Sequence, residues 1–176
     1  FHVGHGARLQ GCGAIFIGDR FYAAPMLWIE AVRKYLDFRY EPVIEIGSNV
    51  TCSQFVHIAA TARVTIQDGV LIGSRVHITD HAHGTYRGDL QDSPDVPPSR
   101  RPPSRGRPVV IEQNVWLGDG VVVLPGVTIG EGTIVGANSV VSRSLPPRVI
   151  ALGAPAVPIK AYDAQSGRWL PLRPSA

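Results

Sequence analysis

Ile111-Glu112-Gln113-Asn114-Val115-Trp116-Leu117-Gly118-Asp119-Gly120-Val121-Val122-Val123-Leu124-Pro125-Gly126-Val127-Thr128-Ile129 is the stretch that decides the fold, because an apolar side chain returns at every sixth position. Ile111, Leu117, Val123 and Ile129 are followed at the same spacing by Val135 and Val141. Toward the N-terminus the period recurs as Ile46, Cys52, Ile58 and Val64, then, after two extra residues placed near Gln67 and Asp68, as Ile66, Ile72 and Ile78. Ile17, Ala23 and Ile29 keep the same step. Of these thirteen positions from Ile46 onward, all but Cys52 are Ile, Leu or Val, so the spacing is a constraint rather than a composition effect. A period of six fits neither the 3.6 of a helix nor the two of an ordinary strand. It fits a parallel β-helix, in which each short strand forms one flat side of a coil, points one side chain inward and is followed by a turn. The small residue after the apolar one, as in Ile72-Gly73 and Leu117-Gly118, permits a sharp corner. A β-sandwich would show alternation and hairpin signals, and this chain does not.

Composition agrees. The 176 residues are one domain's worth of chain, 44% hydrophobic and 18% charged. A domain of that size buries roughly 70% of its unfolded surface and folds without disulfides or a structural metal. Cys12 and Cys52 fit a reducing compartment. No apolar run approaches the ~18 residues of a membrane span, and nothing at the N-terminus reads as a cleavable signal. The start at Phe1 rather than Met is compatible with a trimmed leader or tag, so a cytoplasmic location is an expectation. A net charge of +3 is mild for a nucleic-acid binder and suits a small anionic ligand better.

The expected organisation is a single all-β domain over 1–176. Irregular N-terminal coils occupy 1–42, within which 30–42 interrupts the period; Ile29, Val32 and Leu36 have helical spacing there, but Ile29 is in phase and favours strand then loop. Regular coils fill 43–81 and 109–144. Between them, 82–108 carries six prolines and five arginines, the mark of a stiff excursion arm rather than a tether. A C-terminal extension follows over 145–176, with Pro155, Pro158, Pro171 and Pro174.

The hexapeptide series together with Ile78-Thr79-Asp80-His81-Ala82-His83-Gly84, Asn114-Val115-Trp116-Leu117-Gly118, Leu124-Pro125-Gly126-Val127-Thr128-Ile129-Gly130 and Gly153-Ala154-Pro155-Ala156 resembles the hexapeptide-repeat acyltransferases. Within them it is most similar to the branch that O-acetylates sugars of O-antigen, capsule and exopolysaccharide. The likeness covers about residues 43–160. It implies a left-handed β-helix, a homotrimer, acetyl-CoA as donor, a carbohydrate acceptor and an active site between neighbouring subunits; no metal is expected, and the mild charge argues against a nucleic-acid partner.

Acetyl transfer from a thioester to a hydroxyl needs a base, and histidine suits near-neutral pH. His81 stands where the regular coils end and the arm leaves, and the resemblance makes it the catalytic base. Asp80, Asp92 and Asp95 are unranked candidates to orient it. His83 is the second choice and lines the acceptor pocket in this reading, with Ser53, Gln54 and Tyr86 also on the acceptor side. On the donor side the matching positions are Trp116, Asp119, Gly136, Ala137, Ser142, Arg143 and Lys160; Arg143 and Lys160 would meet phosphates, while Gly136 and Ala137 leave the wall open for the pantetheine arm. Val157 stands where relatives often carry arginine. His57 and His77 each precede an inward Ile and so point outward, stacked on one side. That stack raises a rival reading, a zinc-dependent hydratase like the gamma-class carbonic anhydrases with His57, His77 and His81 as ligands. A non-catalytic trimeric scaffold is the other. Cys52, at an inward position, reads as core rather than as an acyl carrier.

Overall fold

The computed structural model describes residues 1–172; Pro174 and the rest of the expected extension beyond residue 172 lie outside the described residues. The chain winds through three parallel sheets in turn. Face one stacks His2–Val3, Tyr22–Ala23, Thr51–Cys52, Leu71–Ile72, Trp116–Leu117, Ile134–Val135 and Val149–Leu152. Face two stacks Arg8–Gln10, Trp28–Ala31, His57–Ala60, His77–Thr79, Val122–Val123 and Val140–Val141. Face three stacks Ile15–Ile17, Val43–Ile46, Arg63–Ile66, Val109–Ile111 and Thr128–Ile129. Registers hold the periodic residues in columns, such as Cys52, Ile72, Leu117 and Val135 on face one, and Ile29, Ile58, Ile78, Val123 and Val141 on face two. All of these are fully buried, which supplies the core at roughly 25 cal/mol per Å² of apolar surface removed from water.

Three features differ from the sequence reading. Each hexapeptide buries two side chains rather than one: the residue two before the periodic position, Val50, Val56, Val70, Val76, Val115, Val121 or Val127, fills the corner of the prism. The glycines after the periodic residue do not serve a left-handed backbone. A Cβ on Gly73 would come within 2.7 Å of the Asp119 backbone nitrogen, so glycine there lets successive rungs stack closely, while the left-handed corner position falls on Asn114, Gly120 and Asn138. Finally, the two extra residues lie between Ile58 and Ile66 at the Ala60–Ala62 corner, not at Gln67 and Asp68, because Val64 and Ile66 pair with Ile44 and Ile46 and both point inward.

Residues 32–42 form no helix. Lys34–Tyr35 and Phe38–Arg39 make a small antiparallel hairpin. Its tyrosines hold the arm: Tyr35 Oη donates to the Ser99 carbonyl at 2.8 Å, and Tyr40 Oη to the Pro103 carbonyl at 2.7 Å. The arm therefore folds back on the body, and the Gly84 amide donates to the Pro102 carbonyl at 2.9 Å. After the last rung, Val157–Asp163 and Arg168–Pro171 extend face one as antiparallel strands.

Candidate active site

The Ala60–Ala62 corner with its two extra residues makes a cradle of backbone amides, and Asp80 fills it. Asp80 Oδ1 accepts from the Thr61 amide at 2.9 Å, and Oδ2 accepts from the Ala62 and Arg63 amides at 2.7 and 2.8 Å. The carboxylate has 0% exposure and is one of few buried charged groups here, so these bonds replace its lost hydration. Oδ1 also lies 2.8 Å from Nδ1 of His81. Because the carboxylate can only accept, Nδ1 carries the proton and donates, which leaves Nε2 with a free lone pair. Nε2 of His81 has no protein partner among the described residues and is not among the buried unpaired atoms, so it is open to a substrate. The side chain keeps 12% exposure.

Asp80 is thus the orienting group. Asp92 is spent on the Thr85 amide at 2.6 Å, and Asp95 on the Ser93 hydroxyl at 3.1 Å. Thr79 completes the corner, its hydroxyl 3.3 Å from His81 Nδ1. The phase slip was the sequence signal for this cradle, misplaced by a few residues.

The remaining expected residues separate into two groups. His83 and Tyr86 lie with His81 at the corner between faces two and three. His83 Nδ1 is 3.3 Å from the Arg101 carbonyl, with its ring edge-on to Tyr35; the Tyr86 hydroxyl donates to the His83 carbonyl at 2.7 Å. Ser142 and Arg143 are exposed at the same edge, two rungs farther on. Ser53, Gln54, Asp119, Gly136 and Ala137 occupy the corner between faces one and two, and Trp116 is half-exposed on face one between Leu71 and Ile134. One copy of the chain does not bring these to His81. Asp119 Oδ1 accepts from the Ser74 amide at 2.7 Å and so closes a corner, and Gly136 faces the Leu152 side chain where a Cβ would collide. Lys160 lies on the antiparallel strand opposite Ile150, and Val157 opposite Leu152.

His57 and His77 stack as expected, ring centroids 4.8 Å apart, with Trp28 stacked on His57 at 4.1 Å. The two imidazoles are tilted 47° to one another, whereas Trp28 lies flat on His57, and among the described residues no group of three His, Cys, Asp or Glu is placed to hold a metal. Burial, then the nearby His77 and His81, lowers the His57 pKa to about 4; burial and His81 lower that of His77. A base whose folded pKa is depressed is neutral in the native state, so its stabilising contribution is full above about pH 6.5 and is lost as pH falls toward 4. Thermal melts are expected to show this acid loss, and His57→Phe, which keeps a ring on Trp28, should flatten it. An unchanged acid limb in the variant would assign the loss elsewhere. Burial pushes the Cys52 thiol up to about 12, so it supplies no thiolate for acyl transfer.

The rungs thus present one imidazole nitrogen, held by a buried carboxylate, at the root of the arm. Residues 108–143 match the family described as bacterial transferase hexapeptide (six repeats). The chain is 41% identical over 162 residues to an Escherichia coli K12 protein provisionally named lipopolysaccharide biosynthesis O-acetyl transferase WbbJ, covering 92% of this chain and 79% of that one. It is 35% identical to the galactoside O-acetyltransferase of the same organism, over 67% of this chain and 54% of that protein. A hexapeptide-repeat acetyltransferase from Vibrio cholerae, solved with acetyl coenzyme A, superposes with a TM-score of 0.57 at 28% identity, over 92% of this chain and 71% of that one. The chain belongs to the hexapeptide-repeat acyltransferases, and its coil is their left-handed parallel β-helix. This membership favours the acyltransferase over the hydratase and scaffold readings. Among the described residues no helix is long and apolar enough to cross a membrane.

Proposed function

We propose that the chain moves the acetyl group of acetyl-CoA to a hydroxyl of a bacterial-type surface polysaccharide or its precursor. The observation that carries this reading is the Asp80–His81 pair: Nδ1 is locked as donor, so Nε2 is a preset acceptor for a hydroxyl proton. As the sugar oxygen attacks the thioester carbon, Nε2 takes its proton; when the C–S bond breaks, the imidazolium returns that proton to the CoA thiolate. The anionic Asp80 steadies the cation between the two events. No enzyme-bound acyl group is needed.

The working unit in this reading is a homotrimer. The outward side of face one is apolar, with Tyr22, Leu71 and Trp116 each more than 40% exposed, and face two presents Trp28, Val122 and Val140. Face three instead carries the Arg63–Glu45 ion pair at 2.7 Å and suits water. Packing face two of one copy on face one of the next would bring Trp116, Gly136 and Ala137 of a neighbour toward His81, joining the two groups that one chain keeps apart. Arg143 and Lys160 would then meet CoA phosphates. Cys12 and Cys52 are both unpaired, which fits the reducing cytoplasm.

The test is release of free thiol from acetyl-CoA against a panel of sugars and polysaccharide fragments. Carbohydrate-dependent release supports the reading; release that no carbohydrate stimulates, with transfer to an amine instead, would replace it.

A further inference from the structure

A cavity of about 480 Å³ that the proton transfers above leave unused adjoins the corner through Ala82, next in sequence to His81; Tyr86, Arg87, Leu90, Arg105, Arg107 and Pro125 also line it, and among the described residues no acidic side chain does. Its floor is the catalytic corner. The Arg107 amide donates to the Asp80 carbonyl at 2.8 Å, and the Ser104 amide to the Ala82 carbonyl at 2.8 Å. A Cβ on Gly106 would strike the Asp80 carboxylate, so the segment carrying Arg105 and Arg107 is seated against the group that orients His81. Arg107 lies over Gly126, where an added Cβ would come within 3.0 Å of its Nη1.

The arm's buried arginine is already committed. Arg101 donates to the Val96 carbonyl at 2.8 Å, the Tyr86 hydroxyl at 2.8 Å and the Pro94 carbonyl at 2.9 Å. Arg87, Arg105 and Arg107 have no carboxylate partner among the described residues. Three like charges around one cavity repel unless an anion sits between them, and guanidinium forks match phosphate oxygens. A single carboxylate would leave most of that charge unmatched; a diphosphate would not. Tyr86, Leu90 and Pro125 offer an apolar wall to whatever the phosphates carry.

We infer that this cavity holds the diphosphate of the acceptor, so that the sugar is acetylated as a glycosyl diphosphate. This rests on the acetyltransferase reading. CoA also carries a diphosphate, for which the reading above already assigns Arg143 and Lys160, so titration beside saturating acetyl-CoA separates the two ligands.

The experiment is calorimetric titration of the whole chain, with and without saturating acetyl-CoA, using inorganic pyrophosphate, UDP and farnesyl diphosphate, repeated on Arg87→Ala/Arg105→Ala. Diphosphate binding that persists beside acetyl-CoA and weakens at least about tenfold in the variant, with acetyl-CoA affinity nearly unchanged, is the expected result. UDP binding tighter than the other two points to a nucleotide sugar; farnesyl diphosphate binding tighter points to a lipid carrier. The inference is overturned if none of the three binds, if the variant binds them as well as the parent, or if acetyl-CoA displaces them and loses affinity in the variant by the same factor. Failure of the parent to bind acetyl-CoA would count against the acetyltransferase reading, while the diphosphate titrations are still read separately.

Discussion

His81→Ala is expected to lower carbohydrate-dependent acetyl transfer by roughly 10²–10⁴-fold, the usual contribution of a positioned general base, while the coil and the binding of acetyl-CoA persist. The reason is local. His81 stands two residues past Thr79, the last residue of a rung, and among the described residues its ring is engaged only at Nδ1. Removing the imidazole therefore takes away the proton acceptor without unpairing a rung. Circular dichroism together with acetyl-CoA titration separates this outcome from misfolding, and a variant that keeps parental rates would remove His81 from the chemistry.

Asp80→Ala should be worse, because it damages fold and reaction together. The amides of Thr61, Ala62 and Arg63 lose their acceptor at a corner with no other partner for them among the described residues. Stranding buried donors costs about 1–3 kcal/mol each, so a loss on the order of 3–5 kcal/mol is expected, comparable to breaking a buried ion pair. For a chain of this length that is a fall of about 6–20 °C in Tm. Asp80→Asn does not rescue it, since an amide nitrogen would face either the Ala62 and Arg63 donors or Thr61 and His81. Thermal melts and the thiol assay on both variants read the two effects. A Tm within a degree of the parent for Asp80→Ala would mean the cradle is not what holds the corner.

The coil was legible because its constraint is one-dimensional: a buried column at fixed spacing shows in Ile111 through Val141 without any knowledge of the third dimension. The corner valines are as regular, but a single inward side chain already accounts for the period, so the spacing does not call for a second. Glycines after the periodic residue were read as turn formers; only the closeness of the next rung reveals why Gly73 has no room for a Cβ. His81 could be singled out by its place at the root of the arm together with the family resemblance, whereas its partner could not. Three aspartates were near in sequence, and the choice among them depends on amides from a rung nearly twenty residues earlier. The sequence does not sort the arginines of the arm, because which of them are spent on carbonyls is a property of the folded arm.

The central claim, that the working site joins the His81 edge of one copy to face one of another, is reached most directly by mixing two inactive variants. On the proposed reading His81→Ala removes the base, and Ala137→Trp, at an exposed corner residue, blocks the donor path without touching the core. Unfolded together and refolded as mixed trimers, they should recover transfer at about a quarter of the seams, the fraction that receives an intact His81 from one copy and an intact Ala137 from the next. Mixed trimers that form but stay inactive would contradict the account and place the whole site within one chain.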